Sequence, residues 1–125
     1  MATQTLEMMR AQREAEMVVR SFYETCGAVV LTTDFGHDAN PDVTAAVVLD
    51  DNELVFVGIL QVADVHDAKH EWVGKAEQDA FVALSEWYVE THDSEDADVR
   101  FDRCLISGAG DQIGELKHID HVFKV

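Results

Sequence analysis

Proline occurs once in this chain, at Pro41, and cations are scarce, with nine Lys and Arg against twenty-five Asp and Glu. The near-absence of proline, together with 47% hydrophobic residues, excludes a disordered chain, because enough apolar side chain is present to build a core. The shortage of Lys and Arg leaves a formal net charge of −16 and argues against a nucleic-acid binder, whose affinity comes from cations that displace phosphate counterions. Such a field repels a polyanion at long range, most of all at low salt. It suits a solvated acidic surface of the kind a salt-rich cytoplasm favours, a binder of basic partners, or a mimic of nucleic acid. The two cysteines, Cys26 and Cys104, form no CxxC pair, so the common redox and zinc motifs are missing. Two free, buried thiols in a reducing compartment are expected. No apolar run reaches membrane-spanning length, and Glu and Arg stand near the N-terminus where a signal peptide needs an apolar segment. The expectation is a cytoplasmic protein without a membrane partner. There is no Gly-rich phosphate loop, and neither cysteine nor Ser21, Ser85, Ser94 or Ser107 carries a local nucleophile signature.

What is present centres on residues 43–62, VTAAVVLDDNELVFVGILQV. Two β-branched runs, Val43–Leu49 and Leu54–Val62, flank the polar Asp50-Asp51-Asn52-Glu53 and predict an antiparallel hairpin. The second run is apolar at successive positions, so both its faces must be covered, which places it mid-sheet with helices on each side.

The flanking segments supply those covers. A chain of 125 residues forms one domain, 1–125, with residues 1–5 frayed. From Leu6 to Cys26 there is no Gly or Pro, and Ala11, Ala15, Val18, Phe22 and Cys26, widened by Met8 and Val19, form the stripe of an amphipathic helix. Gly27 is placed to cap it in the left-handed conformation. Arg10, Arg13 and Arg20 are expected to pair with Glu7, Glu14, Glu16 and Glu24 on its surface. Ala28–Thr33 reads as a short strand and Asp34–Asp42 as a loop. A second helix is expected over Glu71–Glu90, with Trp72, Ala76, Ala80, Ala83 and Trp87 on its core side, flanked by Val73, Leu84 and Tyr88. Val99–Ser107 reads as a strand, Ser107–Gly114 as a turn, and Glu115–Val125 as a last short strand and tail. The predicted fold class is an α/β three-layer sandwich with a mixed central sheet between helices.

His66 and His70 fall at i, i+4. On a helix the two imidazoles share a side and can hold one metal, with Asp64, Asp67 or Glu71 as third ligand. The HExxH pattern is absent, and two exposed loop histidines are the commoner outcome of such a pair.

Four passages resemble the YraN family, small bacterial proteins similar to archaeal Holliday-junction resolvases. EMVVRSFYETCGAVVLTTDF is similar to the family's opening, with Glu16 at its helical Glu. LVFVGIL resembles LVFVEVK. ADVRFDRCLIS resembles the RFDVV strand, including Asp102, and ELKHIDHVF resembles IEHIENAF, with His118, Ile119 and Phe123 in register. The resemblance implies the restriction-endonuclease-like αβββαβ core and an Mg²⁺-dependent endonuclease acting on branched or single-stranded DNA. Such enzymes hold Mg²⁺ with carboxylates, and a Lys two residues from the Glu helps activate water on the same strand face. Here the family's Glu position is Gly58, its Lys position is Leu60, and its Asp position is Val43, or Asp42 with a shift of one. The basic start of the second helix is reduced to Lys75. Asp64 projects to the side of Gly58 but lies six residues further along, roughly 20 Å away. A rebuilt metal site would have to draw on Glu16, Asp34 and Asp42. The expectation is a catalytically inactive nuclease-fold domain without a cofactor, acting on a protein partner or as a homodimer. The alternatives are a remodelled Mg²⁺ nuclease and an acidic DNA mimic.

Overall fold

A computed structural model describes residues 6–33, 45–92, 98–108 and 114–123. In chain order these form α1 (Leu6–Thr25), β1 (Val29–Thr32), β2 (Ala45–Asp50) and β3 (Glu53–Val62). A 3-10 turn (Ala68–Glu71), α2 (Lys75–Thr91), β4 (Asp98–Ser107) and β5 (Glu115–Ile119) follow. The strands make one five-stranded sheet in the order β1-β2-β3-β4-β5. β3 and β4 are parallel and the other neighbours antiparallel, so the sheet is mixed, with α2 as the crossover between the parallel pair.

The expected hairpin forms with Asp50 opposite Glu53, leaving a two-residue turn in which Asp51 takes φ +53, a conformation that Asp tolerates. β3 is the middle strand, and Leu54 to Ile59 are buried without interruption, as a doubly covered strand requires. Its alternate residues divide the core. Val55, Val57 and Ile59 join Ala46, Val48, Cys104 and Ile106 beneath Ala15, Val19 and Tyr23 of α1. Leu54 and Phe56 join Ala45, Val47 and Phe101 beneath Phe81, Leu84 and Tyr88 of α2. One helix therefore covers each face of the sheet.

Gly27 ends α1 with φ +88, and the bonds Ala28 N–H to Tyr23 O and Gly27 N–H to Glu24 O complete the helix C-terminus. Three expectations change. The buried ridge of α1 is Ala15–Val19–Tyr23, a step of four, and Cys26 at its end is exposed, while Cys104 is buried. The second helix starts at Lys75, because the chain first makes the separate 3-10 turn. Its core side is the ridge of Phe81, Leu84, Ser85 and Tyr88, which keeps the expected Leu84 and Tyr88 inside but turns Trp87 outward, 47% exposed, while Trp72 precedes the helix at the end of the 3-10 turn and is 75% exposed. Ala76 and Ala83 are exposed with them. The sequence carries two apolar stripes here, and the bulkier aliphatic and aromatic one is the stripe that packs. No helix among the described residues is long and apolar enough to cross a membrane.

Candidate functional site

Arg100, Asp102 and Cys104 alternate along β4 and point toward α1, and His118 joins them because β5 pairs it with Cys104. The Asp102 side chain is fully buried. Its Oδ1 accepts from Arg100 Nε at 2.9 Å and from the backbone N–H of His121 at 3.2 Å. Its Oδ2 accepts from Tyr23 Oη at 2.8 Å, Arg100 Nη2 at 3.0 Å and His118 Nε2 at 2.8 Å. Arg100 Nη1 lies 3.4 Å from both the Asp50 and Glu53 carboxylates at the hairpin end. The rings of Phe22 and Tyr23 pack on His118 with centroids 4.9 and 5.4 Å away.

Burial pushes the Asp102 carboxyl up, but the hydrogen bonds from His118, Arg100 and Tyr23, with the charge of Arg100, outweigh it and hold the group below its ordinary value. Burial, reinforced by Cys104 and Asp102, pushes the Tyr23 phenol well above its usual range. Burial and the Asp102 charge push the Cys104 thiol up to about 12. Neither the phenol nor the thiol is poised as a base or nucleophile near neutral pH. A carboxylate offers about four lone-pair directions, and five donors converge on Asp102. The cluster ties α1, β4, β5 and the turn at His121, where φ is +50, into one unit. It does not fit a metal ligand.

The opposite face carries the hairpin position that the resemblance assigns to a metal-holding Glu. Gly58 lies under α2, and a Cβ built there would meet Phe81 Cζ at 2.8 Å. The phenyl ring occupies the space a carboxylate would need. Leu60, two residues on, is 39% exposed and offers no charge or oxygen. Mg²⁺ coordination by carboxylates therefore does not fit these two positions. Val43, Asp34 and Asp42 lie outside the described residues. Glu16 is on α1, half-buried.

His66 and His70 do not share a helix. His66 precedes the 3-10 turn, its Nε2 2.9 Å from Glu115 Oε2, and His70 lies within the turn. Asp64 and Asp67 accept from the backbone N–H groups of His66 and Lys69, which fixes the loop. Among the described residues no three His, Cys, Asp or Glu side chains group to hold a metal ion.

Sequence reading missed Arg103. It is buried on the α2 face and donates to the carbonyls of His70, at 2.7 Å, and Trp72, at 3.3 Å, and to the Glu77 carboxylate. It holds the 3-10 turn and the start of α2 against β4. Tyr23 and Arg100 were also missed as partners of Asp102. The signals were there: Tyr23 continues the four-residue ridge of α1, and Arg100 and Asp102 are two apart on a strand.

The sequence matches no protein-family model and no curated protein.

Proposed function

We propose that this chain is a catalytically inactive nuclease-fold domain of the restriction-endonuclease-like type that works as a protein-interaction module for a basic partner or a second copy of itself. The observation that carries the reading is Gly58 beneath Phe81, a core contact at the position where the resembled enzymes keep a metal-holding carboxylate. Three further features support it. The element order of helix, three antiparallel strands, helix and parallel strand agrees with the αβββαβ core. Asp102, the acidic residue that remains in a resembling strand, has its lone pairs occupied by Arg100, Tyr23, His118 and His121. The net charge of −16 disfavours approach to a polyanion and favours a cationic partner.

The test is incubation of the purified chain with branched and single-stranded DNA in Mg²⁺ and Mn²⁺. No cleavage above a buffer control is expected. Cleavage abolished by Asp42→Ala would overturn the reading in favour of a rebuilt metal site.

A further inference from the structure

A cleft of about 500 Å³ opens where β4 runs past the end of β5, between α2 and the residues that follow β5. Its walls are Val82 and Val89 of α2, Val99 and Phe101 of β4, and Phe123. Phe123 stacks on Phe101 with centroids 4.5 Å apart, and Val122 N–H bonds Phe101 O at 2.8 Å, so the wall beyond β5 is anchored to the sheet. Val99 remains 39% exposed, an apolar side chain at the mouth. The size falls within the range of sites that take one small ligand or a few side chains.

The charge around this cleft is one-sided. Glu53 and Glu86 line it, and its guanidinium, Arg100, already faces Asp102, Asp50 and Glu53. Three carboxylates thus surround the one Arg, Glu86 adds a further acid to the lining, and the His121 imidazole, which also lines the cleft, faces Asp120. Lys75, the basic residue of α2, is a full helix length away from Val89 and pairs with Asp79. An apolar hollow with an anionic rim complements an apolar side chain next to an ammonium or guanidinium group.

We infer that this cleft is a docking site for a basic segment of a partner protein, seating an apolar side chain against Val82, Val99 and Phe101 and an adjacent Lys or Arg beside Glu86 and Glu53. The inference rests on the interaction-module reading and specifies where the basic partner is held.

The experiment is titration of the isotope-labelled full chain with N-acetyl-Phe-Lys-amide, followed by amide chemical shifts. Shifts confined to Val82, Glu86, Val89, Val99 and Phe101 are expected, with weaker binding of the Ala-Lys analogue and none of the Phe-Glu analogue. Glu86 is exposed, so Glu86→Lys should fold normally and weaken binding by up to about fivefold, since a partly exposed pair contributes up to about 1 kcal/mol. Shifts spread over the acidic surface, or binding unchanged in Glu86→Lys, would overturn the cleft assignment and leave the interaction-module reading standing. DNA cleavage by the same preparation would instead remove that reading while the titration still reports on the cleft.

Discussion

The two faces of the sheet solve the problem of a covering helix in opposite ways. Under α1 the centre is a buried charge, with Asp102 surrounded by donors from three elements. Under α2 the centre is a run of rings, with Phe56 against Tyr88 and Phe101, Phe101 against Phe123, and Phe81 seated on Gly58. A charge network needs all its partners at fixed distances, so it specifies one geometry and tolerates few losses. An aromatic layer is indifferent to charge but not to volume. An acidic residue, Asp102, holds the first face together, and the second face has no room for one at Gly58.

The largest effect is expected for Asp102→Ala, which takes the bidentate partner from the Arg100 guanidinium and leaves the buried Tyr23 phenol without its acceptor. A loss of about 3–5 kcal/mol is expected by denaturant unfolding, as for a broken buried ion pair. A loss below about 1 kcal/mol would mean that the network is incidental to the α1 face. Next comes the ring layer. Gly58→Ala forces Phe81 to move and should cost about 1–3 kcal/mol. Combining it with Phe81→Leu should be markedly less than additive, a coupling a double-mutant cycle reads directly. Additive losses would separate Gly58 from Phe81.

A smaller effect is expected for Tyr23→Phe, about 1–2 kcal/mol, since Asp102 keeps its other donors. The pH dependence sharpens the contrast between the faces. The folded-state pKa of Asp102 is depressed, so its contribution is present above the unfolded value near 3.8 and falls away as pH drops below it. The folded-state pKa values of Cys104 and Tyr23 are raised, so their contributions are intact below about 9 and 10 and decline as pH rises beyond. Asp102→Asn should flatten the acid limb of a stability–pH curve and Cys104→Ala the start of the alkaline limb. Gly58→Ala should shift the whole curve without changing its shape. The smallest effects belong to the exposed pairs Arg20–Glu24 and Lys75–Asp79, where removal of either cation should change stability by less than about 0.5 kcal/mol.

Much of the architecture was legible because local pattern and burial agree in it. The runs 43–49 and 54–62 bracket a polar turn, the described part of the first lies in β2 and the second in β3, and the continuous apolar character of β3 marked it as central. Gly27 marked the end of α1. Trp87 misled because α2 has two apolar stripes, and periodicity alone does not say which one meets the sheet; Trp72 misled because the helix starts after it, at Lys75. Asp102 was visible as one acid inside a buried strand with Arg100 two residues away, but its other partners, His118, His121 and Tyr23, lie 16 to 79 positions away, and such pairings depend on topology. The meaning of Gly58 was hidden for the same reason. Its Phe81 cover is a long-range contact across a helix-to-sheet interface.

The most direct measurement is calorimetric titration of Mg²⁺ and Mn²⁺ into the purified chain near neutral pH. Weak, non-saturating heat that disappears with added salt is expected, as acidic surface groups give when they only attract counterions. Stoichiometric, salt-resistant binding of either ion, lost in Asp42→Ala, would contradict it and show that carboxylates of this chain assemble a metal site.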